Sequence, residues 1–159
     1  MIFVPRHRYI VNWPVMVGEH DVTDICRGDA RVLGLLAEHL LLKIFDNLSS
    51  VPGRERPGDL LENYCDGTKV WEVKTTKDKS INIQPSREKG SGRKHDPERF
   101  ANVLSSLSGG FIFVDLRKLP EVSFCGVPVS DLRVDESGIA TKTQRTELIF
   151  DYDEITAEG

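Results

Sequence analysis

The sequence predicts an α/β domain in which helices cover a mixed β-sheet. Three observations lead to this class: a long apolar segment with helical spacing at 28–48, two β-rich runs joined by Asp66-Gly67, and a second helix signal at 95–107 followed by an apolar run. Helix, hairpin, helix and strand in this order are typical of a mixed sheet flanked by helices. The 159 residues can bury one substantial core, so we predict a single domain over 1–159.

The first half of the chain contains the strongest helix signal. Residues 1–28 hold short apolar pieces interrupted by Pro5 and Pro14, which predict an N-terminal arm or short strands. In the segment 28–48, Asp29 is placed to be the N-cap of a helix whose wide apolar stripe predicts burial against a sheet.

The second half predicts a helix and then strands. Asp96 and Pro97 are suited to the N-cap and first position of a helix that runs to about Leu107, and Gly109-Gly110 ends it. The run FIFVDL, residues 111–116, predicts a buried strand. The rest of the chain predicts one or more further strands with a turn or short helix between them.

The run KVWEVKTT, residues 69–76, carries two charges on a predicted strand. Alternate side chains of a strand share a face, so Glu72 and Lys74 project together while Trp71 and Val73 project to the opposite face. The two apolar side chains are therefore predicted to face the core, which leaves the charged pair for another role.

The hairpin register decides which acid joins this pair. A two-residue loop of Asp66-Gly67 pairs Asp59 with Lys74 and places Asp59, Glu72 and Lys74 on one surface. A three-residue loop brings Glu62 to that surface instead.

Two carboxylates beside a lysine can hold a divalent metal ion and act on a bound water. Carboxylate oxygens hold Mg²⁺, which keeps most of its waters and also binds a substrate phosphate. Such an ion lowers the pKa of a bound water and stabilises charge on a phosphodiester, while the lysine positions or deprotonates the attacking water. We predict phosphodiester hydrolysis with Mg²⁺, for which Mn²⁺ can substitute.

These residues resemble a known family. Pro57-Gly58-Asp59, twelve intervening residues and Glu72-Val73-Lys74 are similar to the signature of the PD-(D/E)XK nuclease superfamily. The runs VPGRE at 51–55 and SINI at 80–83 resemble small type II restriction endonucleases that leave blunt ends. The resemblance covers residues 29–116, and it implies one nuclease domain with a restriction-endonuclease-like mixed sheet, in which 1–28 form the N-terminal arm.

The resemblance also implies roles for single residues. Asp59, Glu72 and the carbonyl of Val73 would be metal ligands, and Lys74 would act on the attacking water. An ordinary exposed hairpin with a cross-strand ion pair is the alternative interpretation of these side chains.

Further acids are candidates for an accessory role. Glu38 on the long helix corresponds to an acid that some members place near the metal, against the alternative of a partly solvated helix glutamate. Glu55 is a second candidate, against the alternative of a charged loop residue.

A basic segment follows the predicted catalytic strand. Residues 74–99 contain eight lysines and arginines against four acids, a local balance of +4 in a chain of net charge −4. In type II enzymes this position often contacts DNA, and a solvated loop is the alternative interpretation. The candidate DNA-binding residues are Arg87, Lys89, Arg93 and Lys94.

The predicted partner is double-stranded DNA, and the predicted assembly is a homodimer. One small subunit with one site cuts one strand, so symmetric cleavage of a palindrome requires a second subunit. Three alternatives remain: a Holliday-junction resolvase with the same fold, a non-catalytic DNA-binding module, and a small-molecule enzyme or interaction domain.

Hydropathy and cysteine content indicate the expected compartment of the protein and the state of its thiols. No run approaches the roughly 18 apolar residues of a spanning helix, and no signal peptide is recognised, so we expect a cytoplasmic protein without a membrane partner. The three cysteines are widely spaced, which favours reduced thiols over a disulfide framework or zinc site.

Overall fold

The computed structural model describes residues 1–52, 58–76, 78–84, 96–149 and 154–156 of the chain. The strands are β1 (Arg8–Asn12), β2 (Met16–Val17), β3 (His20–Asp21), β4 (Leu48–Ser50), β5 (Leu60–Tyr64), β6 (Gly67–Thr76), β7 (Ser80–Asn82), β8 (Gly110–Lys118), β9 (Glu121–Val127), β10 (Thr143–Arg145) and β11 (Glu154–Thr156). The helices are α1 (Thr23–Cys26), α2 (Ala30–Ile44), α3 (Pro97–Ser106) and α4 (Thr146–Ile149), with a 3-10 helix at Val129–Asp131.

A mixed sheet with the order β11-β1-β9-β8-β6-β5-β4 forms the centre of the molecule. Most neighbours are antiparallel, while β6 with β8 and β1 with β11 are parallel. Two smaller ribbons pair β7 with β10 and β2 with β3. Because a parallel pair requires a crossover, β7 and α3 lie on the connection from β6 to β8. The predicted α/β class is confirmed.

The N-terminal residues belong to the core of the fold. The arm or short strands predicted for 1–28 include β1, which lies between β11 and β9 in the main sheet, and Phe3, which is buried. The short strands predicted for this segment are present, and the alternation of RYIVN buries Tyr9 and Val11 in the main sheet.

Helix α2 begins where the sequence predicts. The side chain of Asp29 accepts hydrogen bonds from the backbone N–H groups of Arg31 and Val32, which satisfies two of the donors left free at a helix start. The helix ends at Ile44 rather than at Leu48, because Phe45 turns to extended backbone and Leu48 begins β4.

Two apolar cores lie on the two faces of the main sheet. The first packs α2 against the sheet and includes Leu33, Leu41 and Trp71, with Val73 packed against it. The second packs α3 and β7 against the opposite face and includes Phe111 and Phe113 with their neighbours from α3. The predicted inward orientation of Trp71 and Val73 is confirmed.

The hairpin register differs from the predicted one by two positions. Leu60 pairs with Trp71 and Tyr64 with Gly67, so the loop is Cys65-Asp66 rather than Asp66-Gly67. The expected pairing of Asp59 with Lys74 is therefore wrong: the ladder ends at Leu60 and Trp71, and the N–H of Asp59 donates to the carbonyl of Trp71. A shift of two positions preserves the face of every side chain.

Glu62 lies on the other face of this hairpin. It pairs with Lys69, it is only 2% exposed, and its Oε1 accepts a hydrogen bond of 2.9 Å from the indole Nε1–H of Trp71. The three-residue loop that would have brought Glu62 to the charged surface is thus wrong. Glu62 is a structural acceptor for a buried tryptophan.

Candidate active site

The candidate site lies where β6 extends beyond β5. The β5–β6 pairing stops at Trp71, while residues 72–76 of β6 continue to pair with β8 on their other side. Within the described part of the chain, no strand pairs with the open side of 72–76. This open edge leaves backbone groups available to the side chain that lies beside it.

Asp59 occupies this open edge. Its backbone N–H donates to the carbonyl of Trp71 at 2.8 Å, and its Oδ2 accepts a hydrogen bond of 2.8 Å from the N–H of Val73. The carboxylate thereby takes the place of a strand partner. Because the N–H and C=O of one strand residue point to the same side, the carbonyl of Val73 faces the same open edge.

Glu72 and Lys74 extend from β6 on the face of the second core. Their β8 neighbours are Phe111 and Phe113, which are fully buried. The Oε2 atom of Glu72 is buried and has no hydrogen-bond partner within the described residues. A buried carboxylate oxygen without a partner is costly unless a ligand satisfies it.

The ammonium group of Lys74 is oriented by the chain that follows β7. Its Nζ donates a hydrogen bond of 2.9 Å to the carbonyl oxygen of Gln84. An ammonium has three donors, so this bond fixes its position and leaves two donors for another partner.

A cleft of about 560 Å³ unites these groups with α2. Its lining comes from the face of α2 that carries Glu38, from Asp59, from the end of β6 and from β7. The residues that line the cleft are Arg31, Gly34, Leu35, Glu38, Asp59, Glu72, Val73, Lys74, Thr75 and Asn82.

The three acids of the cleft all have raised pKa values. Burial raises the pKa of Glu38 to about 7, and the nearby charge of Asp59 adds to this effect. Burial also raises the pKa of Asp59 and that of Glu72, although the charge of Lys74 opposes both shifts. Desolvated carboxylates that repel each other at one place are typical of a site prepared for a positive charge.

The donor set of the cleft fits a hard divalent cation. Across the ranges that the structure describes, no group of three or more His, Cys, Asp or Glu side chains is arranged to hold a metal. Mg²⁺ requires fewer protein ligands, because it is usually bound by one or two carboxylates together with waters and substrate phosphates. Asp59, Glu72 and the Val73 carbonyl meet this requirement, and the partnerless oxygen of Glu72 is the observation that favours it.

The sequence-predicted residues divide into three groups. Glu38, Asp59, Glu72, Val73 and Lys74 line one cleft. Glu62 lies away from it, against Trp71. The residues that fall outside the described part of the chain are Glu55, Arg87, Lys89, Arg93 and Lys94.

Five cleft residues were not predicted as site residues from the sequence: Arg31, Gly34, Leu35, Thr75 and Asn82. Arg31 lies on the same stripe of α2 as Glu38, and a spacing of seven residues on a helix was the available signal. Asn82 comes from β7, and only the alternation of Ser80–Asn82 pointed to its orientation.

Comparison with known proteins finds no match, so the function is inferred from the candidate site. No family model, no curated protein and no solved structure matches the chain. Among the described helices, none combines the length and apolar character needed to cross a membrane.

Proposed function

We propose that the chain is a Mg²⁺-dependent endonuclease that hydrolyses phosphodiester bonds in double-stranded DNA, of the PD-(D/E)XK type and with a restriction-endonuclease-like sheet. The observation that carries the proposal is the convergence of Asp59, Glu72 and Lys74 on one cleft, where a buried oxygen of Glu72 has no partner. A cross-strand ion pair between Asp59 and Lys74, the simplest alternative, does not account for this: among the described residues the Asp59 carboxylate accepts from Val73, and the Lys74 ammonium contacts Gln84.

The protein ligands of the ion are Asp59, Glu72 and the Val73 carbonyl. When bound, Mg²⁺ supplies positive charge that activates a water and stabilises the charge that develops on the phosphodiester. Oδ2 of Asp59 is already held by the Val73 N–H. That bond orients the carboxylate and leaves its other oxygen for the ion.

Lys74 and Glu38 complete the proposed machinery from two sides of the cleft. The free donors of the Lys74 ammonium hold the attacking water or a phosphate oxygen, and the bond to Gln84 keeps Nζ in place. Glu38 enters from α2 as the accessory acid. The walls that bury these groups reduce competition from bulk water and strengthen their electrostatic effects.

The proposed assembly is a homodimer acting on duplex DNA, with cleavage at defined sites. One cleft of this size accommodates one scissile phosphate, so breaking both strands calls for two copies related by a two-fold axis. The basic segment that contains Arg87, Lys89, Arg93 and Lys94 is the proposed source of contacts to DNA outside the cleft.

The decisive experiment is incubation of the protein with plasmid and phage DNA in Mg²⁺, followed by sequencing of the ends. We expect cleavage at defined sites, with Mn²⁺ able to replace Mg²⁺. Alanine at Asp59, Glu72 or Lys74 should reduce cleavage by at least about a hundredfold, while Glu136→Ala, which removes an exposed acid elsewhere, should leave it unchanged.

Two controls separate catalysis from folding and binding. Thermal unfolding should show that the inactive variants remain folded, and in Ca²⁺ they should still bind a labelled duplex. Near-normal cutting by Glu72→Ala would falsify the proposal. Cleavage of synthetic four-way junctions with linear duplex left intact would replace it with a resolvase.

A further inference from the structure

One face of α2 is turned toward the cleft and carries four residues. Arg31, Gly34, Leu35 and Glu38 follow the i, i+3, i+4, i+7 spacing of a single helical stripe, and all four line the cleft. Glu38 is accounted for by the proposed reaction. The other three residues precede Glu38 on the same wall, and the proposed reaction does not account for them.

Gly34 lies in the interior of α2, where glycine lowers helix stability relative to alanine. Among the described residues, a Cβ atom built on Gly34 would meet no atom beyond its own stretch of helix within 4 Å, so the packing of this part of the chain gives no reason for a glycine. Gly34 lines the cleft, so the absence of a side chain there leaves space beside the helix for a ligand.

Arg31 is exposed at the end of the stripe, seven residues before Glu38. Within the described residues its guanidinium forms no ion pair or hydrogen bond, although three carboxylates line the same cleft. Seven residues along a helix correspond to about 10 Å, and a helical side chain leans toward the N-terminus. The guanidinium is therefore separated from Glu38 and is available to an anion.

We propose that this stripe of α2 binds the substrate strand, and we call this binding surface the seat. Arg31 binds a phosphate adjacent to the scissile one, and the absence of a side chain at Gly34 lets the sugar–phosphate backbone lie against the helix. The inference rests on the proposed function, because it places the scissile phosphate at the acids. A guanidinium suits this role, since its fork of donors matches two phosphate oxygens at once. The contact sets the register of the strand relative to Asp59 and Glu72.

Gly34→Ala tests the seat through two readouts that should move in opposite directions. Because the space around Gly34 is open and alanine favours helix, the melting temperature should rise by about 2–4 °C. The added methyl group should at the same time weaken binding of a labelled linear duplex in Ca²⁺ by roughly threefold or more. Gly28→Ala is the matched control, since Gly28 also has open space for a Cβ but lies outside the cleft, and binding should not change.

Arg31→Ala tests the phosphate contact. Binding of the same duplex should weaken about tenfold, and the slope of log K against log salt should fall by about 0.9, the value for one phosphate contact. Arg31→Lys should restore part of the affinity. Lys43→Ala removes one positive charge from another face of α2 and should leave the slope unchanged.

The outcomes distinguish failure of the seat from failure of the proposed function. If the wild-type protein neither binds duplex in Ca²⁺ nor cuts it in Mg²⁺, the proposed function fails. If the wild type binds and cuts, but Arg31→Ala keeps the wild-type salt slope, or Gly34→Ala binds as tightly as the Gly28→Ala control, the seat is overturned and the catalytic proposal stands.

Discussion

Oδ2 of Asp59 lies 2.8 Å from the backbone nitrogen of Val73 and accepts its hydrogen bond, so a candidate metal ligand also completes the edge of β6. This double role predicts different effects of two substitutions. Asp59→Asn keeps an oxygen acceptor and should preserve the fold, whereas Asp59→Ala leaves the N–H without a partner and should lower the free energy of unfolding by about 1 kcal/mol relative to the asparagine variant. Both should be inactive.

Denaturant unfolding of the two Asp59 variants, without metal, measures this difference. Equal stability of the alanine and asparagine variants would show that the hydrogen bond contributes nothing to the fold. The cleavage assay on the same preparations reports the catalytic role separately.

Glu72→Gln should make the metal-free protein more stable while abolishing cleavage. Burial raises the pKa of Glu72, so its ionised form lowers stability at neutral pH, and a neutral amide of the same shape removes that cost. Mg²⁺ should raise the melting temperature of the wild type and not that of the variant. A fall in the metal-free melting temperature of Glu72→Gln would contradict this reasoning.

The stability of the metal-free protein should decrease as the pH rises from about 4.5 to about 7. Over this range Glu38 is ionised in the unfolded chain but keeps its proton in the folded one, because its folded pKa is about 7 against an ordinary 4.5. The folded state then binds more protons than the unfolded state, and each increment of pH disfavours it.

Melting temperatures measured across this pH range in a chelating buffer test the effect of Glu38. Glu38→Gln should flatten the dependence, since glutamine does not titrate. An unchanged profile would assign the dependence to Asp59 and Glu72 rather than to Glu38.

Removal of Glu62 should affect stability and leave catalysis intact. Glu62→Ala deprives the buried indole N–H of Trp71 of its acceptor and should cost about 1–3 kcal/mol, while Glu62→Gln keeps an acceptor and should cost less. Tryptophan fluorescence during unfolding provides the measurement. Loss of cleavage in a folded Glu62→Gln protein would contradict a purely structural role and make Glu62 a catalytic candidate.

The parts of the fold that were predicted correctly depend on neighbours in the sequence. Asp29 and Asp96 each cap a helix by accepting from N–H groups two and three residues ahead, so their role is readable from a short window. The alternation that places Glu72 and Lys74 on one face and Trp71 on the other is equally local.

The parts that were missed depend on contacts between distant segments. The predicted and the observed hairpin registers bury the same side chains, so alternation could not separate them, and Asp59 was paired with Lys74, whereas its N–H bonds to the carbonyl of Trp71. Likewise β1 pairs with β9 and β11 from the other end of the chain, and no pattern within RYIVN names those partners. Arg31 and Asn82 line the same cleft only because α2 and β7, which pack on opposite faces of the sheet, both reach the open end of β6.

The two-residue loop at Cys65-Asp66 makes the length of the hairpin a requirement for the proposed activity. An insertion or deletion of a single residue there slides one strand past the other and moves the carboxylate of Asp59 to the side of Trp71, without altering any candidate catalytic residue. Substitutions in the loop leave that spacing untouched. In related sequences, the twelve residues between Asp59 and Glu72 should therefore vary freely in identity at the loop and hardly at all in number.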